Sequence, residues 1–278
     1  MWRMKVFYTD RMVADSGGFS PSAHKPRDVV ASWCALGIPL EIVEPEPVTA
    51  EQFALAHDRQ VVDDVLSSRR DNGFGNRSPA VAASLPYTSG SMLAAAREAV
   101  RNRRVAVAPC SGFHHATHES PQGFCTFNGL MVTACVLRDE ALAKRVGILD
   151  FDQHWGNGTA DIVAHLGAAW VAHYSAGADW HSVEQAEEFL ATIPKILRAM
   201  AGCDVILYQA GADPHVDDPL GGWLTTEELR ERDRLVFRNA ASLGVPIAWN
   251  LAGGYQSPLR NVLDIHDNTM RECAAVFG

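Results

Sequence analysis

Ile148–Thr159 reads ILDFDQHWGNGT. The apolar run Val146–Leu149 ends in Asp150, Asp152 and His154, which alternate with Phe151 and Gln153. At a period of two, these three polar side chains share one side of an extended chain. A strand end running into a polar turn accounts for any one of them, since Asp is a common turn former and helix cap. Two carboxylates and an imidazole on one side also make half of a metal site.

Working outward, short apolar β-branched runs alternate with longer amphipathic stretches. The pattern predicts strands at Lys5–Tyr8, Leu40–Val43, Val105–Ala108, Val146–Phe151, Ala169–His173, Val205–Tyr208 and Pro246–Leu251. It predicts helices at about 27–36, 50–67, 89–102, 126–142, 158–166, 184–201, 225–243 and 258–275. Continuous apolar strands separated by helices imply an α/β fold, a mainly parallel central sheet between two helical layers. No linker or repeat interrupts it, so 1–278 reads as a single domain. Asp71–Tyr87, rich in Asn, Gly, Ser and Pro, reads as a long surface loop.

Net charge is −9, from 24 Lys and Arg against 33 Asp and Glu. No basic block stands out, which argues against nucleic-acid or anionic-membrane binding and weakly favours a cationic substrate. Six scattered cysteines without a CxxC pair fit a reducing compartment. No apolar run approaches the roughly 20 residues of a membrane span, and the N-terminus lacks a signal-peptide pattern. The expectation is a soluble cytoplasmic protein; whether it forms a homo-oligomer is left open.

Ligands in open α/β sheets bind beyond the carboxyl ends of strands. Four strand ends here carry suitable chemistry. PCSGFHHATHESPQGF follows Val105–Ala108, DFDQHWGNGT follows Val146–Leu149, QAGADPHVDDP follows Val205–Tyr208 and AGGYQSP follows Pro246–Leu251. Asp152 and His154, joined by Asp213 from another strand end, offer two oxygens and a nitrogen to one divalent ion, as in catalytic rather than structural zinc sites. His114 and His115 form a tandem pair, with Asp150 suited to fixing the tautomer of His114. Tyr255 follows Gly253–Gly254, which let the backbone turn. Phe124 could line an apolar tube or simply anchor its loop.

The set HH, GFCxFN, DxDxHxGNGT, QxGxD, DPLG and GGY resembles the histone deacetylase and acetylpolyamine amidohydrolase superfamily, over roughly residues 90–275. The resemblance implies the arginase-like fold and zinc-dependent hydrolysis of an N-acetyl amide, of acetyl-lysine or a small acetylated amine. It implies Zn²⁺ on Asp152, His154 and Asp213, His115 as general base and later acid, and His114 paired with Asp150. Tyr255 would donate to the oxyanion, the Gly123 carbonyl would accept the scissile N–H, and Phe124 and Leu220 would line the substrate. A K⁺ ion is implied near Asp150, Asp152 and the His154 carbonyl. A vestigial metal-holding scaffold is the alternative; it predicts a missing group, and none is missing. A two-manganese ureohydrolase would need a DxHxD pattern that DFDQH lacks.

Four positions depart from the family. Asn157 stands where many members pair the second histidine with Asp. Lys25, in AHKPR (Ala23–Arg27), replaces an acidic residue. The SLH signature is only loosely echoed by AHY (Ala172–Tyr174), and the loop that supplies an aromatic wall is cut short, leaving Trp180, a neighbouring subunit or nothing in its place. Asp71 is the one candidate for gripping a peptide backbone.

Overall fold

The computed structural model describes residues 3–278. Seven strands form one parallel sheet: β1 (Met4–Phe7), β2 (Leu40–Val43), β3 (Val105–Ala108), β4 (Val146–Asp150), β5 (Val171–Ser175), β6 (Val205–Gln209) and β7 (Ile247–Asn250), in the order β2-β1-β3-β7-β6-β4-β5. The four strands whose ends carry the polar motifs, β3, β7, β6 and β4, are adjacent in the middle of the sheet. Their loops therefore open side by side, which is how His114 and Tyr255, 141 positions apart in the chain, come to lie on neighbouring loops.

Alternate residues of each strand feed opposite cores. Leu149, Ile206 and Tyr208 pack with Trp33, Phe189 and Phe237. Ile148, Val205 and Leu207 pack with Phe53, Met92 and Met131. The first core is covered by α1 (Lys25–Cys34), α7 (Ala186–Ala199), α8 (Thr226–Leu243) and α9 (Arg260–Phe277). The second is covered by α2 (Ala50–Phe53), α3 (Arg59–Leu66), α4 (Pro79–Asn102), α5 (Gly129–Asp139) and α6 (Asn157–His165). This is the three-layer arrangement that the strand pattern implied. Among the described residues, no helix is long and apolar enough to cross a membrane.

Local chemistry sets the helix ends. Thr225 and Glu228 form a reciprocal capping box at the start of α8, and Gly244 ends it in the left-handed conformation at φ 66°. Asn128 caps α5 through Met131 N. Three predicted boundaries need correction. The loop expected over Asp71–Tyr87 stops at Ser78, because Pro79 occupies a first-turn position where its missing N–H costs nothing. Pro86 then lies inside α4. The stretch 50–67 is two helices, the second restarted by the Asp58 cap. The fifth strand runs two residues further than its apolar composition suggested and places Ser175, not His173, level with Asp150.

Candidate active site

Asp150 is the last residue of β4 and is fully buried. Its Oδ2 accepts a hydrogen bond from His114 Nδ1 at 2.8 Å. Its Oδ1 accepts from Asp152 N and Gln209 Nε2, each at 3.2 Å. One carboxylate thus orients an imidazole and shapes the turn that follows. Burial opposes charge on His114, but Asp150 and then Asp152 outweigh it and carry its pKa up to about 9.

His115 packs against His114 with ring centres 4.0 Å apart and planes tilted by 47°. Its Nδ1 lies 2.6 Å from Asn157 Oδ1. An amide oxygen only accepts, so Nδ1 carries the proton and the Nε2 lone pair is free. Burial, and then the charge on His114, lower the pKa of His115, while Asn157 supplies only partial compensation. The neutral amide of Asn157 lacks the charge with which a carboxylate in that place would favour the protonated ring. Gly123, at φ 56°, closes over the same ring. A Cβ there would lie 2.6 Å from His115 Cδ2, so this backbone conformation and this approach both require glycine.

The predicted ligands converge. His154 Nδ1 lies 3.1 Å from Asp152 Oδ1 and 3.1 Å from Asp213 Oδ2. The three potential ligand atoms fall within 4.8 Å of one another, and both carboxylates are buried. Without a cation the arrangement is electrostatically tense. Burial and the nearby Asp152 push Asp213 up to about 7. Asp152, despite its burial, is held well below the usual carboxylate range by His114 and His154. His154, hydrogen-bonded to Asp152 and Asp213, rises to about 10. Two buried acids sharing one imidazole proton suit a divalent ion in place of that proton.

The supports of this cluster were not visible in the sequence. Asp152 Oδ2 accepts from Gly253 N at 2.8 Å, and a Cβ on Gly253 would sit 2.2 Å from Asp213 Oδ2. Lys25 is buried under the same turn. Its Nζ donates to the carbonyls of Ala252, at 2.9 Å, and Gly253, at 3.4 Å. Burial lowers its pKa to about 8, against the pull of Asp213, Asp152 and Asp218. Arg232, buried on α8, sends Nη1 to the carbonyls of Phe151 at 3.1 Å and Gly211 at 2.7 Å. One guanidinium therefore ties together the loops carrying Asp152 and Asp213. Nothing in the local pattern of a helical Arg marks it.

Tyr255 follows the Gly253–Gly254 turn, and its backbone N–H donates to Asp218 Oδ2 at 2.8 Å. Asp218 Oδ1 accepts from Leu220 N at 3.0 Å. The DPLG segment is thus a bracket for the phenol, and its acid was legible as a motif but not as a support. Burial and the carboxylates of Asp213 and Asp152 push the phenol pKa upward, which keeps the hydroxyl a donor.

At the rim, Phe124 contacts Tyr255 at 5.8 Å and Phe74 at 6.1 Å between ring centres. Leu220 is 38% exposed on the adjoining loop. Asp71 is paired with Arg77 at 2.7 Å, so the backbone-gripping candidate already has a partner. Trp180 is not a rim residue. Its Nε1 donates to Tyr174 Oη at 2.8 Å, and its ring packs on Phe189 in the core. At the level of Asp150, Ser175 Oγ accepts from Gly156 N at 2.9 Å.

The histone deacetylase domain model matches residues 23–175 and 167–268. The chain is 27% identical over 183 residues to an uncharacterized protein of Picosynechococcus, covering 60% of this chain and 61% of that one. It is 27% identical over 227 residues to chloroplastic histone deacetylase 10 of Oryza sativa subsp. japonica, covering 66% and 51%. The chain thus spans between about half and three fifths of these relatives. Among solved structures, the HDA15 HD domain superposes with a TM-score of 0.80 at 18% identity, covering 98% of this chain and 88% of that one. Acetylpolyamine aminohydrolase from Burkholderia pseudomallei gives 0.74 at 19%, covering 99% and 100%. At these identities the superpositions establish the fold.

Proposed function

The chain belongs to the histone deacetylase domain family, and we propose that it is a zinc-dependent hydrolase that removes acetyl groups from N-acetylated amines. The observation that carries the reading is the convergence of Asp152, His154 and Asp213 beside a histidine with a free Nε2. The donor set of two oxygens and one nitrogen fits Zn²⁺ with a position left for water. A zinc ion held there would supply Lewis acidity, lowering the pKa of a water to about 7 and polarising the amide carbonyl. All of 1–278 is taken as one catalytic unit.

The remaining steps belong to the chain's own groups. His115 Nε2 takes the proton from the attacking water, a role worth on the order of 10²–10⁴-fold. His114, fixed by Asp150, holds positive charge beside the reacting centre. Tyr255 donates its hydroxyl to the developing oxyanion. The Gly123 carbonyl accepts the scissile N–H, and Phe124 and Leu220 flank the chain of the amine. His115 then returns its proton to the leaving nitrogen, and acetate and a free amine result. A monovalent cation beside Asp150 and the His154 carbonyl, K⁺ by family resemblance, completes the proposal.

The test is release of fluorophore from an acetyl-lysine reporter by metal-free protein titrated with Zn²⁺. Turnover should rise to a plateau at one zinc per chain. Tyr255→Phe should lower kcat by about 10²–10³-fold at unchanged metal content. Hydroxamate binding without turnover on any acylated amine would overturn the hydrolase reading.

A further inference from the structure

The fifth strand carries a histidine that neither the metal cluster nor the proton shuttle uses. His173 stands level with Ile148, and Ser175 with Asp150. At a period of two, all four side chains leave the same face of the sheet. The imidazole is thereby brought beside the Asp150 carboxylate.

His173 Nε2 is buried and has no hydrogen-bond partner. What it faces is set by Gly156. A Cβ on Gly156 would lie 2.6 Å from Asp150 Oδ2 and 3.2 Å from His173 Nε2. Gly156 has φ −72°, which any residue adopts, so space and not backbone conformation requires the glycine. Its missing side chain leaves the carboxylate and the imidazole facing one another across a narrow gap, with no direct bond between them.

The hydrogen bonds of Asp150 point to the same pairing. A carboxylate offers about four acceptor positions. Asp152 N and Gln209 Nε2 fill those on Oδ1, and His114 Nδ1 fills one on Oδ2. The position left over is on Oδ2, the oxygen that borders the gap. Burial lowers the pKa of His173, with Asp150 pulling against that and His114 adding to it, so the ring is neutral. A neutral imidazole beside an anion presents its N–H and not its lone pair. A buried gap flanked by two such polar groups suits one ordered water.

We propose that His173 is a positioning residue: its Nε2–H donates through one water to Asp150 Oδ2 and so fixes the carboxylate that orients His114. This deepens the deacetylase reading and rests on it for the reaction that the contact serves. Without the donor, Oδ2 is held by His114 alone, and the carboxylate and imidazole can turn together about the Oδ1 bonds. His173 touches neither the three metal ligands nor the rim, so its loss should appear in kcat and not in KM.

The test uses zinc-loaded protein labelled with ¹⁵N at histidine. It compares wild type with His173→Phe, which keeps the ring without a donor, and with His173→Gln, whose amide NH₂ reaches the same place. In the NMR spectrum of wild type, His173 should be the neutral Nε2–H tautomer. The Nδ1–H signal of His114 should shift in His173→Phe and return in His173→Gln. With the acetyl-lysine reporter, His173→Phe should lower kcat about tenfold at a KM within about twofold, and His173→Gln should recover most of it. An Nδ1–H tautomer at His173 would overturn the proposal. So would a His114 signal indifferent to His173→Phe, or a loss of kcat that His173→Gln does not restore. The tautomer is read on wild type, so it decides even where His173→Phe does not fold. If wild type turns over no acylated amine while both signals behave as stated, the deacetylase reading fails and the link from His173 to Asp150 stands.

Discussion

Asp152 and Phe19 are held in opposite ways. Asp152 is buried just past a central strand, and backbone N–H groups of His154 and Gly253 fix its two oxygens. Phe19 is mostly exposed on a loop, touches one ring and follows two unconstrained glycines. The floor is over-determined by paired strands, buried charge and shared hydrogen bonds. The rim is set by a few apolar contacts. Precise chemistry needs fixed atoms, whereas admission of a substrate needs a surface that can adjust. Changes in the floor should therefore be large and all-or-none, and changes in the rim small and graded.

The comparison breaks most readily at the metal ligands. Asp213→Ala should lose stoichiometric zinc by elemental analysis and fall to background turnover while remaining folded. Retained zinc at one per chain would remove Asp213 from the floor. Removing a buried acid that burial and Asp152 already push up to about 7 should not itself unfold the chain.

Next in size is Arg232→Met. The change removes both carbonyl contacts and leaves the carboxylate of Asp233 without its buried guanidinium partner. Breaking one side of a buried ion pair typically costs about 3–5 kcal/mol. A fall of that size in the unfolding free energy from denaturant titration, together with weaker zinc binding, would show that floor precision depends on a residue on α8. Unchanged stability and zinc affinity would detach Arg232 from the site.

This residue also marks where sequence reading stops. Asp150, Asp152, His154, Asp213, His114 and Tyr255 were legible because each follows an apolar strand, and strand ends converge in a parallel sheet. Arg232 is one of several charged residues on α8, and only the packing of that helix reveals which one turns inward. Lys25 was visible only as a departure, since a lysine in place of an acid gives no hint that it will hold the Ala252 and Gly253 carbonyls. Trp180 failed for the converse reason. An aromatic residue near a shortened loop fits a wall and a core equally well, and its bond to Tyr174 decided for the core. Phe19 carried no period or motif; its meaning comes from a contact with a residue 236 positions away.

A boundary between the two regimes can be probed by pH. His57 is buried, with Nδ1 bonded to the Thr117 carbonyl at 2.9 Å and Nε2 accepting from Asn128 N at 2.8 Å. It ties the loop after the histidine pair to the start of α5. Both ring positions are committed to the neutral form, and burial lowers its pKa from 6.5 to about 4. The unfolded chain takes up this proton below pH 6.5, whereas the folded chain resists until about pH 4. Stability should therefore fall as pH drops through that window, by about 3 kcal/mol in all, and level off below it. His57→Gln should flatten this part of the profile in denaturant titrations from pH 7 to 4. A variant with the wild-type slope would assign the acid sensitivity elsewhere.

The smallest effect is expected where the rim is already paired. Asp71 and Arg77 are both well exposed and bonded to each other, and exposed ion pairs contribute little. If Asp71 gripped a peptide backbone as the sequence suggested, Asp71→Asn would raise KM for acetyl-lysine peptides and spare small acetylated amines. Because its carboxylate is engaged by Arg77, the expected change is less than about threefold in KM for either class. A peptide-specific increase well beyond that would mean that the pair opens on binding. The rim would then hold a polar grip that the resting structure keeps closed, and the division between a committed floor and a merely apolar rim would no longer hold.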